Sequence, residues 1–252
     1  MKIQDKQFLN IKKLYPKAEF VFKPLTPGGI HDVYIIEISN NKYVCRFSSK
    51  NVAQHNLKVS KLLLSENINV PKVSVYNFGD VWCETYPFVY GKTLHERLIE
   101  GISKEKLNNI YRQLFEISQK ISNLPYNDIP TIPMSIVSKG IRKTFDLFYP
   151  SDKKLCHSDL HAKNVILNEK DDISAIIDLD SVLPGNLLFA HFKIANNALF
   201  YGYDIHKFET FCNDVDIKRL ENQIKVHKIT SGLYNFMFPE FIRKQLLKIR
   251  VK

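Results

Sequence analysis

LCHSDLHAKNVILNEKDDISAIIDLDS, residues 155–181, decides how the rest of this 252-residue chain is read. The apolar pulses Val165 to Leu167 and Ile173 to Ile177 flank a polar turn, Asn168 to Asp172, and so predict a β-hairpin. Such a hairpin carries Asp178 back beside Asn164, fourteen positions earlier, while His157-Ser-Asp-Leu-His161 forms a tight loop ahead of it. An Asp, an Asn five positions on and an Asp fourteen further suit phosphoryl transfer, in which the protein mainly orients a hydroxyl, holds Mg²⁺ against phosphates and neutralises charge. Asp159 then accepts the hydroxyl proton, and Asn164 and Asp178 are hard oxygen ligands for magnesium. For His157 and His161 an orienting role fits better than zinc ligation, because no third ligand is in view.

Length and composition bound the possibilities. The chain suits one large domain or two lobes, and its 44% hydrophobic and 25% charged residues describe a soluble globular protein. No apolar run approaches the ~18 residues of a membrane helix, and the start lacks a signal-peptide core, so a cytoplasmic protein without a transmembrane segment is expected. Cys45, Cys83, Cys156 and Cys212 show neither CxxC nor zinc spacing, which predicts reduced, mostly buried thiols. The net charge of +10 divides as +5 over residues 1–91, +1 over 92–203 and +4 over 204–252. Basic residues cluster only in pairs such as Lys12-Lys13, so a solvated basic surface is favoured and no nucleic-acid partner is expected.

Along the chain the texture changes once. Phe8, Ile11 and Leu14 or Tyr15 mark a short helix closed by Pro16. From Phe20 to Ser48, FVFKPL, VYIIEI and YVCRFS predict three antiparallel strands, with a Gly28-Gly29 turn between the first two and an Asn-Asn hairpin between the last two. Without a Cβ in the way, Gly28 and Gly29 suit either a plain turn or close approach to a phosphate. Residues 50–67 read as a helix with Val52, Asn56, Val59 and Leu63 on one face, which points the polar Asn56 inward. Strands VSVYNF and 81–87 follow, and Pro87 and Gly91 close the first lobe. Thr93 to Glu96 is a capping box, and Ser103 caps a helix whose stripe runs Leu107, Ile110, Leu114, Ile117, Ile121 and Leu124. Helices are also expected at 134–149, 187–201, 205–212, 216–230 and 239–251. A strand-rich first third before a helix-rich remainder predicts an α+β fold with lobes at about 1–88 and 89–252.

HSDLHAKN followed by IIDLD resembles the motifs of the aminoglycoside phosphotransferase and choline kinase family, relatives of the protein kinases, both in the residues and in the interval. The resemblance implies a bilobal protein-kinase-like fold with an antiparallel-sheet N-lobe, a mainly helical C-lobe and ATP or GTP in the cleft. It implies that Asp159 is the catalytic base, that His161 lies near the transferred phosphate and that His157 braces the loop. Asn164 and Asp178 are then the Mg²⁺ ligands, Tyr86 to Phe88 the hinge against the adenine, and Arg46 the phosphate-binding cation. The position at which the family's partner helix carries a Glu is Asn56 here, so an Arg46–Asn56 contact without an ion pair is expected. The Asp that relatives place about ten residues past the metal ligand is missing, and His191 stands near that position.

Two other classes match parts of the pattern. A glycosyltransferase could use Asp178-Leu-Asp180 as a DxD motif, but this leaves Asp159 and Asn164 unexplained. A pseudokinase scaffold finds support in Asn56 and is opposed by Asp159. The reading is therefore an ATP- or GTP-dependent kinase with a small-molecule hydroxyl acceptor. The basic C-terminal third disfavours polycationic acceptors and favours a sugar, a glycan or lipid headgroup, or an amino alcohol. For choline, an aromatic cage could come from Tyr201, Tyr203, Tyr234, Phe236 and Phe238, although core packing is the simpler use.

Overall fold

A computed structural model describes residues 3–16, 32–79, 81–127, 129–130, 153–210, 217–218, 220–222 and 224. Helix α1 (Ile3–Leu14) precedes a four-stranded antiparallel sheet of β1 (Asp32–Ile38), β2 (Asn41–Ser48), β3 (Ser74–Asn77) and β4 (Trp82–Pro87), in the order β1-β2-β4-β3. Ile38 pairs with Asn41, so the β1–β2 turn is Ser39-Asn40, one position before the expected Asn-Asn. Both turn residues have positive φ, 49° and 65°, as a two-residue hairpin turn matched to strand twist requires, and Asn tolerates that geometry well. The first expected strand at 20–25, Gly28, Gly29, Cys212 and the helices expected at 134–149 and 239–251 lie outside the described residues.

Strand alternation divides the sheet's faces. Tyr34, Ile36, Cys45, Phe47 and Cys83 join Ile11 of α1 in a small apolar cluster, and Tyr34 Oη donates to Gln7 Oε1 at 2.6 Å. Arg46 and Glu84, which are in cross-strand register, lie on the opposite face with helix α2 (Lys50–Ser65). Ser49 caps α2, and Val52, Asn56, Val59 and Leu63 are all buried, so the expected inward Asn56 is found.

Past the sheet, Gly91 leads into β5 (Lys92–Thr93), α3 (Leu94–Glu100) with its capping box, and α4 (Lys104–Ser122) capped by Ser103. The α4 stripe buries Leu107, Ile110, Leu114 and Ile121 as expected. Next come β6 (Lys154–His157), β7 (Val165–Leu167), β8 (Ile173–Ile176), β9 (Val182–Gly185) and α5 (Leu187–Phe200), with 3₁₀ turns at Ala162–Asn164, Leu179–Ser181 and Ile205–Thr210. The 205–212 segment expected as an α-helix is thus a 3₁₀ run where it is described. β7 and β8 form the expected hairpin, which β5 extends, while β6 pairs with β9. The strand-then-helix segregation is therefore incomplete, because β5 to β9 lie in the helical part; each is at most four residues long, too short for a period-2 signal. Val59 and Leu63 of α2 share the larger core with α4, the hairpin and α5.

Candidate active site

The loop after β6 is set from beneath by His157, which is fully buried. Its Nδ1 accepts from the Asp159 backbone N–H at 3.3 Å, so Nε2 carries the proton and donates to the Ile177 carbonyl at 3.1 Å. Burial lowers the His157 pKa and keeps the ring neutral, as this two-sided brace needs. Leu160 anchors the loop in the core. Asn164 Nδ2 donates to the Asp159 carbonyl at 2.9 Å, and the Ile177 N–H donates to the Asn164 carbonyl at 3.0 Å. The hairpin therefore brings Asp159, Asn164 and the start of Asp178 together, as the spacing predicts.

Asp178, two residues past β8, caps the 3₁₀ turn Leu179–Ser181 in the left-handed region (φ 69°, ψ 55°), a costly backbone for a residue other than glycine. Ser181 Oγ donates to its Oδ2 at 3.2 Å. Burial, and then the neighbouring Asp180 carboxyl, push its pKa up to about 7. Two carboxyls crowded in one turn form a place where a cation lowers the energy. An ion such as magnesium is commonly held by one or two carboxylates together with phosphates. Asn164, through its carbonyl oxygen, and Asp178 fit that need.

Asp159 is 36% exposed in its side chain and faces two basic groups. Lys193 Nζ lies 3.0 Å from Oδ1, and His161 Nε2 lies 3.3 Å from Oδ2. Burial alone would raise its pKa, but His161 and Lys193 outweigh that and hold the carboxylate well below its usual range. Lys193 comes from α5, and one turn later Asn197 Oδ1 accepts the Ala162 N–H at 2.9 Å, so one face of α5 holds the loop. Neither residue is among the expected site residues. Their signal is a lysine and an amide at i and i+4 in the mostly apolar helix LLFAHFKIANNALF.

Arg46 does not take Asn56 as its hydrogen-bond partner. Its guanidinium holds Asp180 with Nη2 to Oδ2 at 2.6 Å and Nη1 to Oδ1 at 3.2 Å, which corrects the expected Arg46–Asn56 contact. A planar guanidinium prefers a carboxylate that it can grip twice. Burial would lower the Arg46 pKa, yet the Asp180 ion pair overrides it and keeps the group charged. Asn56 Nδ2 instead donates to Glu84 Oε2 at 2.7 Å, and Ser48 Oγ donates to Glu84 Oε1 at 2.6 Å. Glu84 is also absent from the expected set; a lone carboxylate inside a strand of buried neighbours, WCETYP, is the available signal.

Arg46, Asn56, Glu84, Tyr86 and Asp178 line one open cleft. Tyr86 is the member of the expected hinge that reaches it, and burial pushes its phenol pKa up. Phe88 packs edge-on against Tyr90 at 5.2 Å, and its backbone N–H donates to the Lys42 carbonyl at 2.9 Å. Of the cage candidates, Tyr203 is buried against Tyr111 and Phe208, while Tyr201 meets His95 Nδ1 at 2.5 Å. Tyr234, Phe236 and Phe238 lie outside the described residues. His191 is buried beside the Phe115 ring, at 5.0 Å between centroids.

No protein-family model and no curated protein sequence matches the chain. Solved structures do. The GDP and kanamycin complex of APH(2")-IIia superposes with a TM-score of 0.67 over 95% of this chain and 93% of that one, at 15% identity. ADP-bound aminoglycoside phosphotransferase APH(2'')-Ib gives 0.65 over 98% and 95%, at 10% identity. The ternary complex of a thermostable APH(4)-Ia mutant with ADP and hygromycin B gives 0.61 over 92% of each chain, at 12% identity. Likeness at this identity is a likeness of backbone, and it spans nearly the whole of both chains. The chain has the fold of the aminoglycoside phosphotransferases.

Proposed function

We propose that the protein is a magnesium-dependent kinase that transfers the terminal phosphoryl group of ATP or GTP to a hydroxyl of a small molecule. The observation that carries this reading is the single loop-and-hairpin unit that ties the backbone of Asp159, whose carboxylate is accessible, to Asn164 and Asn164 to Ile177, the residue before Asp178. The structural neighbours bound to ADP or GDP support it through their shared fold. On this reading residues 1–88 bind the nucleotide and 89–252 bind the acceptor. Asn164 and Asp178 hold Mg²⁺, which when bound neutralises charge on the phosphates. Arg46 faces those phosphates, and Tyr86 with the Phe88 segment borders the base. Gly28 and Gly29, outside the described residues, are assigned on the sequence alone to close backbone approach to the phosphates.

Asp159 accepts the hydrogen bond of the attacking hydroxyl and fixes its line of approach. Its depressed pKa makes it an orienting group more than a strong base, which suffices where the phosphoryl group leaves before the proton is needed. His161 and Lys193 keep the carboxylate ionised and stand near the group in transfer. Two basic groups beside Asp159 oppose a polycationic acceptor, so a sugar, a glycan or lipid headgroup, or an amino alcohol is the favoured class.

The test is a phosphotransfer screen of the pure protein with Mg-ATP and Mg-GTP against sugars, amino alcohols and aminoglycosides, beside Asp159→Ala. Turnover that vanishes in the variant is expected. Absence of magnesium-dependent nucleotide binding overturns the kinase, and binding without turnover of any acceptor favours a scaffold. Metal-dependent binding of UDP-sugars in place of ATP and GTP favours a glycosyltransferase.

A further inference from the structure

Glu84 is 1% exposed in the middle of the first sheet. Burying a carboxylate is unfavourable unless donors and a cation compensate it. The donors are Ser48 Oγ and Asn56 Nδ2, both neutral. The cation is Arg46, its cross-strand register partner and the only basic residue among the described residues that line the cleft. Because Glu84 can only accept, the Asn56 amide must present nitrogen to it, and this leaves Asn56 Oδ1 buried without a partner among the described residues. An orphan acceptor and a carboxylate thus border one arginine whose guanidinium has five N–H donors. Asp180 takes two of these.

We propose that Glu84 is a positioning residue for Arg46, and that Asn56 links this setting to the seat of helix α2. The phosphate-facing cation is then held by a carboxylate of the sheet, and α2 contributes an amide that orients that carboxylate. This rests on the nucleotide-binding reading above. It explains why an inward asparagine is compatible with a working site: the negative charge lies on β4 in place of α2. Arg46, gripped by Asp180 and in cross-strand register with Glu84, is fixed before the nucleotide arrives, so little conformational freedom is lost on binding.

The test is a double-mutant cycle on the full-length protein, with Mg-ATP and Mg-GTP dissociation constants from calorimetry and a thermal midpoint for each variant. Glu84→Gln is expected to weaken nucleotide binding about tenfold. In an Arg46→Met background the same change is expected to cost less than about twofold, because its effect passes through Arg46. Additive losses, or unaltered affinity in folded Glu84→Gln, overturn the proposal; a general loss of packing would lower the midpoint without such coupling. If Glu84→Gln fails to fold, Asn56→Ala replaces it in the cycle, with a loss of about fivefold expected while Arg46 is present and none in the Arg46→Met background. Wild-type protein that binds neither nucleotide overturns the kinase reading and this proposal together, whereas wild-type binding with an additive cycle overturns this proposal alone.

Discussion

His191 shows what a single buried residue does to the whole chain's pH response. Burial lowers its pKa to about 4 from an ordinary 6.5, and its Nε2 has no partner among the described residues. The unfolded chain binds the proton more readily than the folded one between those two values. Stability from this group is therefore complete above about pH 6.5 and falls as the pH drops toward 4, by at most about 3 kcal/mol. Urea unfolding of His191→Phe at pH 7 and pH 5 should show a smaller loss between the two than wild type does. Asp159 is the contrasting case, since its carboxylate is partly exposed and, on the proposed function, serves chemistry and not packing. Asp159→Asn should reduce phosphotransfer about 10²- to 10⁴-fold while Mg-nucleotide affinity stays within about threefold, as parallel turnover and calorimetry would reveal. The placement of these residues was legible in part. The Asp159, Asn164 and Asp178 set follows from local spacing, whereas the partners Glu84, Asp180 and Lys193 are set by contacts between distant segments, which spacing does not encode.

At the scale of elements, the joins matter as much as the helices and strands. Gly91 has φ 142°, and a Cβ built there would stand 2.1 Å from the Leu167 carbonyl oxygen of β7. That close approach lets the chain leave the sheet and pair β5 onto the β7–β8 hairpin. Gly91→Ala should destabilise the protein by about 3 kcal/mol or more, read as a lower urea midpoint at unchanged slope. Helix α5 makes a second join through Lys193 and Asn197. Asn197→Leu strands the Ala162 N–H and should cost about 1–3 kcal/mol. The long elements were legible because three-and-four periodicity repeats many times in α4. The two- to four-residue strands β5, β6 and β9 were not, because pairing with remote segments creates them and little in their own residues announces it.

At the scale of the molecule, α2 ties the sheet to the helical part. It packs on β3 and β4 of the sheet, yet Val59 and Leu63 are fully buried in the larger core with α4, α5 and the hairpin. His55 reaches the Leu179 carbonyl at 3.3 Å and the Pro130 carbonyl at 2.8 Å, and the Arg46–Asp180 ion pair spans 134 positions of sequence. Separating the sheet from the rest would expose that apolar face and leave Asp180, Arg46 and His55 without these partners, a cost comparable to the stability of a whole domain. The two parts should therefore unfold together. The single tryptophan, Trp82, lies in β4, so its fluorescence reports the sheet, whereas far-UV circular dichroism is dominated by the helices. In urea the two signals should superpose on one transition. A fluorescence transition at lower urea than the helical signal would mean that the sheet is an independent unit and that α2 does not couple it to the core.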